Sequence, residues 1–385
     1  MIPYSRQTIN KNDLNSVKKV LLSDYLTQGP EVTKFEDDIK SYLNVNHALA
    51  LNSATSALHV ACLALNLKKN DWLWTVPNTF VASANCAKFC GAKVDFVDID
   101  KNTFNICLEK LTTKLSIAKR KKKLPKIIVL VHLGGNPSEL KEINKLSKKY
   151  KFKIIEDASH ALGSKYKNSK IGNGKYSDVC VFSLHPVKPI TSGEGGIAVT
   201  NDKKVFQKMK IYGNHGITRS YKNLKTKIKS YWYYEQQYLG FNYRMSDIHA
   251  SLARSQLKRL DKFVMTRNKI ATLYKKKLKD LPLFFQRINK NSLSSYHLFI
   301  IYLDKSVLKK NYDFYFNSLR KHKLGVNLHY LPLHKHPFYK KEKKYYNLVN
   351  AEEYSNSAIS IPIFNIYDKK KILQVIKVLK KIFTR

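Results

Sequence analysis

The chain has 385 residues, 43% of them apolar or aromatic, which is enough for one large core or for two domains. It contains no apolar run of eighteen or more residues, and its first six residues lack the apolar core of a signal peptide. The five cysteines form no C-x-x-C pair, so neither a disulfide framework nor a metal site is predicted. We therefore expect a cytoplasmic protein that does not cross a membrane.

The formal net charge is +42, from 70 Lys and Arg against 28 Asp and Glu, which makes nucleic acid the first partner to consider. Only ten of the 70 basic residues are Arg, and no helix-turn-helix, finger or RNP pattern accompanies the charge. The densest run, Lys119–Lys123, reads as a solvated loop between a helix and a strand. We expect no nucleic-acid partner and assign the positive field to the attraction of an anionic small substrate.

Short apolar runs alternate with longer helical ones from residue 45 to about residue 200, a pattern typical of βα units on a mainly parallel sheet. Between them, residues 139–150 carry apolar side chains every three or four positions and predict an amphipathic helix. Seven strands are predicted, at His47–Leu51, Trp72–Val76, Val94–Val97, Ile127–Val131, Lys153–Glu156, Val179–Ser183 and Gly196–Thr200.

The pattern changes after residue 215. Residues 216–240 are rich in Tyr and Lys without a clean period and predict an irregular excursion near a ligand or a partner subunit. We expect a large domain at residues 1–250 and a smaller α+β domain at residues 251–385. After residue 240, the sequence has helical spacing over 246–280 and predicts a strand at Tyr296–Leu303 and helices near 306–323 and 368–383.

One lysine lies on a stiff loop between two predicted strands. Lys188 is flanked by Pro186 and Pro189 and is followed by the turn at Gly193–Gly196. Open α/β sheets place ligands at such strand ends. In a chain with so many lysines, position alone would leave Lys188 as a surface charge.

A second segment changes that interpretation. Asp157 and His160 come directly after the apolar strand that ends at Glu156. Pyridoxal phosphate needs a carboxylate at its pyridine nitrogen and a lysine in Schiff-base linkage, because the protonated ring is its electron sink. By itself, Asp157 is equally well explained as a helix cap.

The third segment is Asn52–Leu58, where small hydroxyl-bearing residues follow a strand and open a helix. The unpaired N–H groups and the dipole of such a helix start suit a phosphate dianion. Ser or Thr at this place is also an ordinary N-cap. Together with Lys188 and Asp157, the segment supplies a third contact for the cofactor.

With these three segments, the sequence resembles the DegT/DnrJ/EryC1/StrS sugar aminotransferases, a family of fold-type I pyridoxal phosphate enzymes. The resemblance covers nearly the whole chain and implies an α/β fold with a mainly parallel seven-stranded sheet and a smaller C-terminal α+β domain. The segments that carry it occur in the family's order: Leu26–Pro30, Asn52–Leu58, Thr79–Ala82, Gly91–Lys93, Glu156–His160, Phe182–Gly196 and Gly240–Arg244.

The resemblance implies roles for the residues around the cofactor ring. Lys188 would hold pyridoxal phosphate covalently and later carry the proton between cofactor and substrate carbon. Asp157 would pair with the pyridinium nitrogen, and His160, where many members have Gln, would contact the ring oxygen. Phe80 would stack on the ring. The family also contains dehydratases in which His replaces the lysine, so the presence of Lys188 favours transamination.

The same resemblance implies a phosphate site and a homodimer. Ala54, Thr55 and Ser183 would hold the phosphate, with Asn242 reaching it from the other subunit. The residues expected to line the sugar-nucleotide site are Tyr4, Asp24, Tyr25, Leu26, Thr27, Ala54, Ser183, Asn242, Asn327, Leu328, His329 and Tyr330.

The resemblance is strongest to the part of the family that acts in pseudaminic acid biosynthesis. It implies transfer of the amino group of L-glutamate to C4 of a UDP-linked 4-keto-6-deoxy-N-acetylhexosamine. Pro186 and Gly193 replace residues expected to be Ala in that subgroup, and the loop at 220–238 is lengthened. These departures leave open another UDP-, dTDP- or GDP-linked 4-keto sugar, and a sugar dehydratase is the remaining alternative.

Overall fold

The computed structural model describes residues 1–221, 224–226, 228, 230–341 and 346–384. Four positions of the predicted irregular segment at 216–240, namely 222, 223, 227 and 229, lie outside the described residues. The helices are α1 Lys11–Leu21, α2 Pro30–Leu43, α3 Ala54–Ala64, α4 Ala82–Phe89, α5 Leu108–Arg120, α6 Leu140–Tyr150, α7 Lys203–Gly213, α8 Asp247–Leu257, α9 Leu260–Leu278, α10 Tyr312–Lys321, α11 Pro337–Lys340, α12 Val349–Ser355 and α13 Lys369–Phe383.

The strands range from two to five residues in length. They are β1 His47–Leu51, β2 Trp72–Thr75, β3 Lys93–Phe96, β4 Ile127–Val131, β5 Lys153–Asp157, β6 Lys165–Tyr166, β7 Ser169–Lys170, β8 Val179–Ser183, β9 Gly196–Thr200, β10 Ile217–Thr218, β11 Glu235–Gln236, β12 Leu283–Phe285, β13 Ser292–Leu293, β14 Phe299–Leu303 and β15 Ala358–Ile361.

The seven predicted strands of the first half form one sheet, in the order β1-β9-β8-β5-β4-β2-β3. Four neighbouring pairs are parallel: β8 with β5, β5 with β4, β4 with β2, and β2 with β3. Strand β9 pairs antiparallel with both β8 and β1. The predicted α/β fold class is therefore confirmed. Because β1, β5 and β8 run in the same direction, their carboxyl ends meet at one edge of the sheet, which is where open α/β sheets bind ligands.

Helices cover this sheet through apolar faces that the sequence spacing predicted. In α6, Leu140, Ile143 and Tyr150 are buried, and the lysines of the helix point away from the core. The central strand β4 is buried along its whole length, as expected for a strand with helices on both faces of its sheet.

The C-terminal part builds a second, antiparallel sheet in the order β12-β14-β15. Its buried residues form a second apolar cluster with the C-terminal half of α9 and with α10 and α13. Leu260 and Val264 at the start of α9 belong to the first cluster, whereas Ile270 and Tyr274 belong to the second, so α9 passes from one core to the other. The division of the chain at residue 250 stays a prediction.

Three predicted C-terminal elements have different bounds in the structure. The helical stretch at 246–280 is two helices, α8 and α9. The helix expected from residue 306 begins at Tyr312, after its N-cap Asn311. The strand expected from Tyr296 begins at Phe299 because Tyr296 has a φ of 44° and its carbonyl accepts a hydrogen bond from Arg267. Among the described helices, none is long and apolar enough to cross a membrane.

Candidate active site

A cavity of about 430 Å³ lies at the carboxyl edge of the large sheet. Most of the residues that the sequence predicted for the site line it together, although they come from distant parts of the chain. They are Tyr4, Ala54, Thr55, Phe80, Asp157, His160, Ser183, Lys188, Asn327, His329 and Tyr330.

Lys188 lies on the loop that connects β8 to β9, and its backbone N–H donates to the carbonyl of His185 at 2.9 Å. Burial lowers the pKa of Lys188 to about 8, and the nearby carboxylate of Asp157 acts in the opposite direction. Burial disfavours the ammonium form, because a charge loses hydration there. The amine is therefore far more nucleophilic at neutral pH than a surface lysine.

Asp157 is the buried last residue of β5 and faces the cavity. Its Oδ2 accepts a hydrogen bond from Ser83 Oγ at 2.5 Å, and its Oδ1 accepts from the hydroxyl of Ser159 at 2.6 Å and from the Ser159 amide at 3.2 Å. Ser83 also shares a hydrogen bond of 2.8 Å with Thr79. These donors come from the first turn of α4 and from the loop after β5, and they fix the orientation of the carboxylate.

His160 is held in one tautomer by its neighbours. Its Nδ1 accepts the amide N–H of Gly134 at 3.2 Å, so the proton of the neutral ring is on Nε2, which donates to the hydroxyl oxygen of Tyr330 at 3.2 Å. Burial, assisted by Lys188 and His329, lowers the pKa of His160 well below its usual value. Burial also raises the pKa of Tyr330, so this residue stays a phenol whose own proton can be donated to another acceptor.

The start of α3 offers a site for a phosphate group. Ser53 is the N-cap: its hydroxyl accepts the N–H of Ser56 at 3.1 Å and its carbonyl accepts that of Ala57 at 3.1 Å. This leaves the amides of Ala54 and Thr55 at the cavity for a ligand. A Cβ at Gly196 would lie 2.3 Å from the Ser53 carbonyl oxygen, so only glycine lets β9 approach this turn so closely.

The opposite wall carries two buried histidines. Asn327 donates to Nε2 of His329 at 3.4 Å, and Nδ1 of His329 donates to Ser360 Oγ at 2.8 Å. Burial and the nearby Lys188 lower the pKa of His329 to about 3. His297 packs with its ring centroid 4.4 Å from that of His160, and its buried Nδ1 has no hydrogen-bond partner within the described ranges.

The structure does not bring the remaining predicted residues to the cavity of a single chain. Residues 24–27 are exposed, and their segment is held by Asp247, which accepts from the amides of Gly29 and Glu31 at 2.8 Å each. Asn242 is exposed, although its carbonyl accepts from Asn52 at 3.4 Å beside the start of α3. Leu328 is half-buried and packs on the apolar core.

Phe80 is 56% exposed at the rim of the cavity. Its ring centroid lies 6.1 Å from that of Tyr330, with the two planes tilted by 53°. A large apolar side chain with this exposure is available to pack against a planar ligand.

The sequence profile of the DegT/DnrJ/EryC1/StrS aminotransferase family matches residues 7–380. The chain belongs to this family. The resemblance read from the motifs is therefore confirmed over nearly the whole length of the chain.

Individual members agree with this assignment. The aminotransferase is 40% identical over 374 residues to the UDP-4-amino-4,6-dideoxy-N-acetyl-beta-L-altrosamine transaminase of Campylobacter jejuni, with 96% of this chain and 95% of the relative covered. The solved structure of PseC from Helicobacter pylori, an aminotransferase of pseudaminic acid biosynthesis, superimposes with a TM-score of 0.89 at 31% identity, covering 100% and 99% of the two chains. A sugar aminotransferase of Streptococcus pneumoniae, solved in its PLP form, gives 0.88 at 25% identity, covering 100% and 98%.

As a member of this family, the aminotransferase depends on pyridoxal phosphate. The residues present fit this cofactor. Three groups face one cavity: the half-buried Lys188 with its lowered pKa, the fixed carboxylate of Asp157, and the start of α3, which β9 can approach because residue 196 is glycine. These groups match the aldehyde, ring nitrogen and phosphate of the cofactor in charge and hydrogen-bonding capacity.

Several residues that line the cavity or support its lining were missed by the sequence interpretation. Ser83 and Ser159 hold Asp157, and His297 forms part of the wall. Glu194, interpreted as a turn residue, is exposed at the cavity. The Asp-x-Ser spacing of residues 157 and 159 is a recognisable Asx-turn signal. Ser83 and His297 carry no local signal, because only the folded chain brings them to the site.

Proposed function

We propose that the enzyme moves the amino group of L-glutamate to C4 of UDP-2-acetamido-2,6-dideoxy-β-L-arabino-4-hexulose, a step of pseudaminic acid biosynthesis. The observation that carries this proposal is the 40% identity to the altrosamine transaminase over 96% of the chain. It is supported by the position of Tyr4, Asn327 and Tyr330, the residues expected at the sugar, in the same cavity as Lys188.

Bound pyridoxal phosphate supplies an electron sink for the negative charge that develops at the substrate carbon. Lys188 holds the cofactor until the amino donor displaces its amine. The freed Nζ would carry a proton from the α-carbon of glutamate to the cofactor, which keeps the amino group while 2-oxoglutarate leaves. In the second half-reaction it would carry a proton from the cofactor to C4 of the sugar, as the sugar takes the amino group. An amine with a pKa of about 8 is suited to both directions, because either form is accessible near neutral pH.

Asp157 keeps the ring nitrogen protonated throughout. Its two oxygens are oriented by Ser83 and Ser159, so the carboxylate does not have to reorganise when charge moves into the ring. The amides of Ala54 and Thr55, with the hydroxyl of Ser183, bind the phosphate. This anchor fixes the distance between the ring and Lys188.

The His160 and Tyr330 pair supplies a directed donor beside the ring. Because His160 donates to the oxygen of Tyr330, the tyrosine hydroxyl proton is free to point into the cavity. The low pKa of both His160 and His329 keeps this wall neutral. A neutral wall leaves Lys188 as the proton carrier.

We further propose a homodimer in which Asn242 of the partner subunit completes the phosphate site. Asn242 is exposed in its own chain, next to a surface that carries large exposed apolar side chains. Phe89, at 55% exposure, and Phe241, next to Asn242, both pack on the ring of His59, and Leu239, at 82% exposure, lies three residues before Asn242. Surfaces of this kind mark protein interfaces.

The excess of positive charge serves to attract the diphosphate of the sugar nucleotide. The five cysteines are free, which suits the reducing conditions of the cytoplasm, where we place the enzyme.

The proposal is tested with cofactor-loaded protein, L-glutamate and two UDP-4-keto sugars that differ at C5. These are the L-arabino and D-xylo 2-acetamido-2,6-dideoxy-4-hexuloses, and the amino-sugar product is identified by mass spectrometry. We expect amination of the L-arabino ketone. Preference for the D-xylo ketone would assign the enzyme to bacillosamine-type sugars. Consumption of either sugar without glutamate would identify a dehydratase.

A further inference from the structure

Arg267 is a cation buried without a carboxylate partner among the described residues. It is fully buried in α9, at the point where this helix passes from the first core to the second. Burial lowers its pKa to about 10, so the side chain remains charged at neutral pH. Burying an unpaired charge is costly, and an apolar side chain of similar size would serve packing better.

The guanidinium instead donates to four neutral acceptors. Nε donates to Asn365 Oδ1 at 2.7 Å, and Nη2 donates to Ser5 Oγ at 3.3 Å. Nη1 donates to the carbonyls of Tyr296 and His297 at 3.0 and 3.1 Å. His297 lines the cavity of the active site.

Two of these acceptors lead directly to the loop of Lys188. Ser5 Oγ donates to the carbonyl of Val187 at 3.0 Å, and Asn365 Nδ2 donates to the carbonyl of Pro189 at 3.3 Å. The residues immediately before and after Lys188 are therefore each held by one side chain. Ser5 and Asn365 come from opposite ends of the chain, and Arg267 is their shared partner.

Arg267 also sets the direction of both hydrogen bonds. A hydroxyl has one proton, and because Ser5 accepts from the guanidinium, its own proton is directed to the Val187 carbonyl. An amide can be flipped, and because Arg267 requires the Oδ1 of Asn365, the NH₂ group faces Pro189. A neutral apolar side chain at residue 267 would set neither direction.

We propose that Arg267 is a positioning residue for the transamination, which acts through Ser5 and Asn365 to fix the backbone on both sides of Lys188. The assignment rests on the proposed role of Lys188 as the proton carrier. Proton transfer depends steeply on distance and orientation. Loosening the loop is therefore expected to slow the chemical step more than it weakens the binding of glutamate.

The variants separate this role from a general contribution to stability. Ser5→Ala removes the link to Val187 and Asn365→Ala removes the link to Pro189, whereas Ser5→Thr keeps the hydroxyl. Arg267→Met removes the common donor. The matched control is Asn268→Ala: Asn268 is the next residue of α9 and donates to the carbonyls of Val264 and Ser294, both at 2.9 Å.

Each holoenzyme is mixed with L-glutamate, and the change of the cofactor absorbance is followed through a single turnover. Its rate at different glutamate concentrations gives the maximal rate and the half-saturating concentration of glutamate. For Ser5→Ala and Asn365→Ala we expect the maximal rate to fall about tenfold or more, with the half-saturating concentration changed less than about threefold. Ser5→Thr should restore most of the rate, and Asn268→Ala should behave as wild type. Arg267→Met, where it folds, should show the largest loss.

A second readout does not depend on turnover. The visible circular dichroism of lysine-bound pyridoxal phosphate reports how rigidly the ring is held, and we expect its amplitude to fall in Ser5→Ala and Asn365→Ala at unchanged cofactor content. If both variants keep the wild-type rate and dichroism, Arg267 serves the packing of α9 only and the proposal is wrong. If the wild-type enzyme does not react with glutamate, the proposed donor is wrong, and the dichroism still decides the role of Arg267.

Discussion

Ser83 donates its hydroxyl hydrogen to Oδ2 of Asp157 at 2.5 Å, across 74 residues of sequence. The serine lies in the first turn of α4 and the carboxylate at the end of β5, so this bond joins two βα units. It is the most direct constraint on the group that we propose to face the ring nitrogen of the cofactor.

Ser83→Ala is therefore expected to lower turnover about tenfold, because a hydrogen bond to a charged group contributes about 1.5–3 kcal/mol. Without the Ser83 hydroxyl, the carboxylate of Asp157 is no longer held in one orientation, so the affinity for the cofactor should weaken as well. Steady-state kinetics and titration of the apoprotein with pyridoxal phosphate measure the two effects. The control is Ser251→Ala, which removes a buried helical hydroxyl that donates to the carbonyl of Ile248 at 2.9 Å. Equal behaviour of both variants would contradict the role of Ser83.

The activity of His160 variants should depend on the hydrogen-bonding capacity of the new side chain rather than on its charge. Glutamine can accept from the Gly134 amide through Oε1 and donate to Tyr330 through Nε2, whereas leucine can do neither. We expect His160→Leu to lose about ten times more activity than His160→Gln, since it removes the acceptor of the buried Gly134 amide and the donor to the Tyr330 hydroxyl. Turnover of the two variants provides the measurement. A His160→Gln variant as inactive as His160→Leu would show that the imidazole itself is needed.

The pKa of Lys188 predicts how fast the apoprotein takes up its cofactor. Only the neutral amine attacks the aldehyde, so with a pKa of about 8 the rate of covalent attachment should rise as the pH approaches 8 and level off above it. Asp157→Asn removes the carboxylate that raises this pKa, so the midpoint should move to lower pH. Absorbance after mixing apoprotein with pyridoxal phosphate follows the reaction. A rate that still rises up to the pH of an ordinary lysine, about 10.4, would contradict the burial of the amine.

Lys188→Ala is expected to bind pyridoxal phosphate without covalent attachment and to show no detectable turnover. Residual binding follows from the phosphate contacts at α3, which this variant leaves intact. Borohydride treatment followed by mass spectrometry checks the attachment: reduction should fix the cofactor to the peptide that contains residue 188 in the wild type only. An active Lys188→Ala enzyme would contradict the mechanism.

The proposed dimer predicts complementation between two inactive variants. Mixed dimers of Lys188→Ala and Asn242→Ala contain one site with a native lysine and a native Asn242 of the partner subunit. After unfolding and refolding together, the mixture should recover about a quarter of wild-type activity, because half of the dimers are mixed and each holds one intact site. No recovery, or a monomer in light scattering, would contradict the shared site.

The sequence predicted the large sheet well because its strands are short apolar runs separated by amphipathic helices. All seven are present, with bounds within one residue of the prediction. The two-residue strands β6, β7, β10, β11 and β13 were missed, since pairs this short carry no periodicity. Tyr296 was assigned to a strand because of its apolar neighbours, but the bond from Arg267 holds its carbonyl outside the ladder.

The motif residues at strand ends were predicted, and their supports were not. Lys188, Asp157 and Ala54 lie at or after the ends of strands and carry a chemical signal in the sequence. Ser83 and Arg267 support the site through side chains distant in sequence, as in the bond from Ser83 to Asp157 and the bond from Arg267 to Asn365. No local pattern distinguishes them from other buried polar residues.

In the proposed reaction, nitrogen passes from glutamate through the enzyme to C4 of the ketosugar. This transfer can be followed by loading the enzyme with ¹⁵N-labelled L-glutamate, removing the free amino acid, and adding the L-arabino UDP-4-keto sugar. We expect about one ¹⁵N amine per active site, bound at C4 in the NMR spectrum of the product. A sugar product without the label, or no product from the loaded enzyme, would contradict it.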